Sequence, residues 1–102
     1  MKTKTKSSKT KSNELDNIHL EFIDPSAHRV FVAGSFNDWQ PDVGSMIDLG
    51  HDRWGKELSL APGRYEYLFV VDGSWLPDPV AKEFVPNPYG GFNSKLVVPS
   101  SS

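Results

Sequence analysis

The sequence predicts an all-β fold, and three observations point there. Apolar residues recur at every second position in several short runs, as at Ile18, Leu20 and Phe22 or at Tyr65, Tyr67, Phe69 and Val71. Clusters of Pro, Gly, Asp and Ser interrupt these runs at short, regular intervals. No stretch of useful length keeps the spacing of an amphipathic helix. At 102 residues, 37% hydrophobic and 12% aromatic, the chain holds one small domain with a core large enough to fold alone.

The elements follow in order. Residues 1–13 contain five lysines (Lys2, Lys4, Lys6, Lys9, Lys11) and no acid, a Lys/Thr/Ser composition that buries no apolar surface, so a disordered basic tail is expected there. The domain is expected over residues 14–99, and 100–102 form a disordered end. Ile18, Leu20 and Phe22 alternate with His19, Glu21 and Ile23 until Asp24-Pro25-Ser26 breaks the run. A second strand is predicted from His28 to Ala33, and a short third around Met46 to Leu49. After the turn at Gly50-His51-Asp52, Trp54, Lys56, Leu58 and Leu60 share a face, which makes Trp54 a core residue. Pro62-Gly63 turns the chain into Tyr65–Val71, where Tyr65, Tyr67, Phe69 and Val71 oppose Glu66, Leu68 and Val70. Asp72-Gly73 suits the two positive-φ positions of a type I′ hairpin turn. Trp75 follows it, and Leu76-Pro77-Asp78-Pro79, with two prolines that give no ladder hydrogen bond, belongs at a sheet rim. The last strand is expected from Asn93 to Val98. Roughly six or seven short strands over about 85 residues define an immunoglobulin-like antiparallel β-sandwich of early set type.

Charge and composition exclude several classes. With the five tail lysines set aside, the remainder carries six basic and 13 acidic residues, a net of −7, which is a poor partner for a phosphate backbone, so no nucleic acid is expected. The first apolar residue after Met1 is Leu15, and no apolar run approaches a membrane span or a signal-peptide core, so no membrane is expected and a cytoplasmic location is. There is no cysteine. His19, His28 and His51 lack metal-ligand spacing, and Gly90-Gly91 precedes a strand and not a helix, so no metal, phosphate loop or cofactor is expected.

The loop after the second strand reads Gly34-Ser35-Phe36-Asn37-Asp38-Trp39-Gln40-Pro41. Together with Trp54, Pro62-Gly63-Arg64-Tyr65-Glu66-Tyr67, Val71-Asp72-Gly73-Ser74-Trp75, Asp78-Pro79 and Asn87-Pro88-Tyr89-Gly90-Gly91-Phe92-Asn93-Ser94, it closely resembles the family 48 carbohydrate-binding modules. These occur in the glycogen-binding domain of the AMP-activated protein kinase β subunit and at the N-terminus of isoamylases and branching enzymes. The resemblance covers His19 to Val98 and implies a sandwich that binds α-1,4-linked glucans such as glycogen, starch or maltooligosaccharides. It implies that Trp39, Trp75 and Asn93 form the carbohydrate site, and that a glucan-metabolising enzyme or a kinase subunit is the protein partner. Two departures stand out: Leu68 replaces a lysine of the kinase-type motif, and Gly91 replaces a threonine. The lost lysine removes a hydrogen-bond donor to sugar hydroxyls, and Tyr89, in a Gly/Pro-rich loop, is the residue that could compensate.

Physical chemistry favours the same residues. A glucose ring offers a patch of C–H groups that stacks on an indole, and burying about 80 Å² of apolar surface per ring contributes about 2 kcal/mol. Ordering a flexible oligosaccharide opposes this, so affinities on the order of 10 μM to 1 mM are expected. Tryptophans in a small sandwich can equally be core residues; loop placement and the resemblance separate Trp39 and Trp75 from Trp54. Phe36 and Phe92 are assigned to packing. Asp38, Asp42, Asp72 and Asp78 suit turns, and a sandwich this small offers no cleft for the opposed carboxylates of a glycosidase, so no enzyme is expected. Two functions remain: non-catalytic glucan binding that targets or regulates a partner, and a protein-interaction scaffold of the same fold with little sugar binding.

Overall fold

The computed structural model describes residues 15–100. The expected basic tail at 1–13, and the end segment apart from Ser100, lie outside the described residues. Among the described residues eight strands form two antiparallel sheets: β1 (Asp16–Ile23), β2 (Val30–Gly34), β3 (Ile47–Gly50), β4 (Arg53–Leu60), β5 (Gly63–Val71), β6 (Ser74–Leu76), β7 (Phe84–Pro86) and β8 (Phe92–Val98). The smaller sheet has the order β1-β4-β3, and the larger β2-β5-β8-β7, with β6 also paired to β5. The immunoglobulin-like β-sandwich predicted from the strand pattern is the fold observed.

The alternation that suggests each strand also sets its register. Leu20 and Phe22 of β1, Val30 and Val32 of β2, Met46, and Tyr67, Phe69 and Val71 of β5 form the core between the sheets. Phe22 and Phe69 meet across it at 5.1 Å between ring centroids, and Tyr67 meets Phe69 edge-on at 5.7 Å. Trp54 is partly buried against this core, as its phase with Leu58 and Leu60 predicts. Between β2 and β3 the chain runs beside β2, with Val32 N–H donating to the Gly44 carbonyl at 2.8 Å and Met46 N–H to the Val30 carbonyl at 2.9 Å. It then crosses to the smaller sheet.

Three local expectations change. β2 starts at Val30 and not His28, because the backbone N–H groups of His28 and Arg29 are taken by the Asp72 carboxylate. β7 was not expected; it is three residues long, ends in Pro86, and pairs only with β8 at the margin of the larger sheet. Phe92, assigned to packing, is 53% exposed. It pairs with Pro86 at that margin and lines a shallow apolar depression with Pro77, Pro79 and Phe84.

Candidate functional site

The outer face of the larger sheet carries Trp75 and Asn93. On β5 the core takes Tyr67, Phe69 and Val71, so Glu66, Leu68 and Val70 face outward. Trp75 lies opposite Val70 in the β5–β6 pair and therefore faces outward too. β8 continues along the same edge of β5 from Tyr67↔Ser94, so the next ladder position places Asn93 beside Leu68. Trp75 beside Val70 and Asn93 beside Leu68 thus share one face along the same edge of β5.

Trp39 lies in the loop that follows β2, the strand on the other edge of β5. The N–H groups of Asn37 and Trp39 both donate to the Gly34 carbonyl, at 3.0 and 2.9 Å. The Asn37 carboxamide closes the loop further, accepting from Gly34 N–H at 3.0 Å and donating to the Val32 carbonyl at 3.1 Å. Asp38 and Trp39 then sit in the left-handed region, with φ of 56° and 59°. For a bulky residue such a conformation costs on the order of 1–3 kcal/mol, and the hydrogen bonds of Asn37 hold it in place. Phe36 turns inward against Tyr65 and Tyr67, at 6.2 and 6.5 Å, while Trp39 is left 36% exposed. The loop is stitched to β5 at Glu66, whose carbonyl accepts from Ser35 N–H at 2.9 Å and whose N–H donates to Ser35 Oγ at 3.1 Å.

The hairpin carrying Trp75 is equally fixed. Asp72 and Gly73 both have positive φ, 49° and 89°, as the Asp-Gly dipeptide predicts. The Asp72 carboxylate accepts from Arg29 N–H at 2.8 Å and His28 N–H at 3.0 Å. These bonds, that from Arg29 foremost, hold its carboxyl below the ordinary value. Trp75 is 47% exposed. Just beyond it, Asp78 opens a turn, its carbonyl accepting from Ala81 N–H at 3.2 Å, and is also buried. It accepts from Tyr67 Oη at 2.6 Å and from Val80 N–H at 3.0 Å, and its own N–H donates to Ser94 Oγ at 2.6 Å. Burial, followed by the neighbouring Asp78 carboxylate, pushes the Tyr67 phenol far above its ordinary range.

Asn93 and Tyr89 are joined through Asn87, a residue the sequence reading did not single out. Asn87 Nδ2 donates to Asn93 Oδ1 at 3.1 Å, and Asn87 Oδ1 accepts from Tyr89 N–H at 2.9 Å and Gly91 N–H at 3.1 Å. Asn93 Nδ2 in turn donates to Glu66 Oε1 at 3.0 Å. Tyr89 is 94% exposed, whereas Asn93 is 8% exposed. An asparagine followed by a Gly/Pro-rich loop is a known sequence signal for local side-chain-to-backbone bonding, but its bond to Asn93 depends on the β7–β8 pairing, which has no such signal. Trp39, Trp75 and Asn93 thus sit on segments bonded or paired to β5, whereas Tyr89 is tied through Asn87 to Asn93 of β8.

Elsewhere, His19 on the smaller sheet is bonded through Nε2 to Glu21 at 2.8 Å and through Nδ1 to Glu57, which raises its pKa, Glu21 contributing most. Among the described residues no group of three His, Cys, Asp or Glu could hold a metal ion. No helix among them is long and apolar enough to cross a membrane.

Two antiparallel sheets packed as a sandwich leave the indoles of Trp39 and Trp75 partly exposed, at 36% and 47%. Residues 18–102 match the family described as the glycogen recognition site of AMP-activated protein kinase, and the chain belongs to it. It is similar to human 5′-AMP-activated protein kinase subunit beta-2, with 33% identity over 72 residues covering 71% of this chain and 25% of that protein. It is similar as well to Protein PTST homolog 2, chloroplastic, of Arabidopsis thaliana, with 35% identity over 73 residues covering 72% of this chain and 13% of that protein. The chain thus spans about a quarter or less of the length of these relatives. Among solved structures, a maltogenic amylase from S. marinus superposes with a TM-score of 0.64 at 21% identity, over 80% of this chain and 13% of the amylase. A putative alpha amylase from Salmonella typhimurium gives a TM-score of 0.63 at 22% identity, over 90% of this chain and 16% of that one. These two matches support the sandwich fold.

Proposed function

We propose that this chain is a non-catalytic α-glucan-binding module that brings a glucan-active enzyme or a kinase subunit to its polysaccharide. Trp39 and Trp75 supply the stacking platforms, Asn93 the polar group at the strand start, and Tyr89 a further ring at the margin. The observation that supports this most is the placement of the two indoles. Each is held by a hydrogen-bonded turn next to β5, and each is exposed where a core tryptophan would be enclosed. A curved α-1,4-linked chain can lay successive rings on such platforms, with about 2 kcal/mol from each stack. The sugar-binding unit is the domain at 14–99, and neutral sugars gain little from the lysines at 1–13. The likeness to a kinase β subunit and to a chloroplastic plant protein supports a targeting role.

The test is a titration with maltoheptaose, following tryptophan fluorescence, paired with an assay for reducing ends released from glycogen. A saturable change with a Kd on the order of 10 μM to 1 mM, and no release, is expected. No saturable change at several times the upper figure contradicts glucan binding, and release that survives repurification contradicts the non-catalytic role.

A further inference from the structure

Asn93 is the polar residue that the resemblance assigns to the sugar, yet its side chain is largely spent within the protein. Its Oδ1 accepts from Asn87, its Nδ2 donates to Glu66, and it is 8% exposed. Glu66 comes next in this hydrogen-bonded chain, and it is partly exposed on the same outward face. Its Oε1 holds the bond from Asn93, and among the described residues Oε2 has no hydrogen-bond donor. Lys95, its cross-strand neighbour, turns away to pair with Glu83 at 2.9 Å. Its outward neighbours along β5 are Leu68, which is apolar and offers no donor, and the exposed Arg64, which makes no ion pair with Glu66 among the described residues. The backbone at Glu66 is fixed on both sides by Ser35, in the loop that carries Trp39. A half-buried carboxylate with one oxygen bonded and no cation partner is a strong, oriented acceptor for hydroxyl groups.

Resting on the glucan-binding reading, we infer that Glu66 contacts the sugar directly: its free carboxylate oxygen accepts hydrogen bonds from glucose hydroxyls, aimed by Asn93 and Asn87. The site of this chain then recognises hydroxyls through a charged acceptor between its two indole-bearing segments, with an apolar residue at 68 beside it. Neutral glucans carry many hydroxyl donors, whereas a phosphorylated or otherwise anionic sugar would be repelled at this position.

The experiment uses the full chain. Glu66→Gln keeps an oxygen that accepts from Asn93 Nδ2, so a purely structural role survives the change, but it puts an N–H₂ group where the charged oxygen stood. Maltoheptaose titrations followed by tryptophan fluorescence are expected to show a Kd raised at least about fivefold in Glu66→Gln, with an unchanged melting temperature. In the unmodified protein the Glu66 side-chain carboxyl ¹³C resonance is expected to shift on titration, saturating with the Kd read from fluorescence. Unaltered affinity in Glu66→Gln, or a Glu66 carboxyl resonance that stays still at saturation, overturns the contact while glucan binding itself stands. If the unmodified protein does not bind maltoheptaose, the glucan-binding reading fails and this inference with it.

Discussion

Trp75 stands directly opposite Val70 across the β5–β6 hairpin, and Phe69, one residue before Val70, is fully buried in the core. Because side chains alternate along a strand, this one register relationship turns the indole outward and ties its position to a fully buried core residue. A one-residue slip would send Trp75 to the other face. The turn that sets the register, Asp72-Gly73, is consequently as important to the site as the tryptophan.

Asp72 makes that turn sensitive to acid. Its carboxyl is held below the ordinary value of 3.8, chiefly by Arg29 N–H, with desolvation opposing this and His28 N–H adding to it. A group whose folded-state pKa is depressed contributes stability above its unfolded value, and that contribution is lost as the pH falls through the folded value. Thermal melts between about pH 5 and about pH 2 should therefore show a smaller loss for Asp72→Asn than for the unmodified protein. Parallel losses would show that the carboxylate does not clamp the turn.

Gly34→Ala should damage both fold and site. A Cβ there would lie 2.5 Å from the Glu66 carbonyl oxygen and 2.7 Å from the Phe36 ring, and the first of these is backbone paired within the sheet. Forcing such a contact costs about 1–3 kcal/mol. It also shifts the loop that the Gly34 carbonyl holds through Asn37 and Trp39 N–H, so glucan affinity should fall as well. Denaturant unfolding and a maltoheptaose titration of the same variant check the two effects; unchanged stability would contradict the close packing.

Tyr67→Phe separates stability from binding. The phenol is buried on the inner side of β5 and donates to Asp78 Oδ2 at 2.6 Å. Removing it leaves a buried carboxylate short of one donor, a loss of about 1–3 kcal/mol. Since Tyr67 faces away from Trp75 and Asn93, affinity should be unchanged. Chemical denaturation alongside the titration tests this, and a variant as stable as the unmodified protein would contradict the burial argument.

Much of the sandwich was legible because its strands obey period two. Tyr65 to Val71 announced both the core face and the outward face of β5, and Asp72-Gly73 announced the hairpin. β7 was not legible, since Phe84-Val85-Pro86 is too short for periodicity and contains a residue that suggests loop. Phe92, assigned to packing, instead pairs with Pro86 at the sheet margin and is 53% exposed. Asp78 is the turn residue its neighbours suggest, but its burial was not legible, because it arises from Tyr67 and Ser94, 11 and 16 residues away. Trp39, Trp75, Asn93 and Tyr89 were named from loop chemistry and resemblance. Glu66 and Asn87 were missed, because what singles them out is a chain of side-chain hydrogen bonds that no spacing encodes.

The most direct test of glucan binding through the two indoles compares Trp39→Ala, Trp75→Ala and Trp54→Ala by maltoheptaose titration and thermal melting. Trp39→Ala and Trp75→Ala should each weaken binding at least about tenfold with the fold intact, and the double change should abolish measurable binding. Trp54→Ala should instead open a cavity beside the core and destabilise the domain by about 3–5 kcal/mol. Strong destabilisation by Trp39→Ala or Trp75→Ala, with the protein that stays folded binding as tightly as before, would make these core tryptophans and contradict the site.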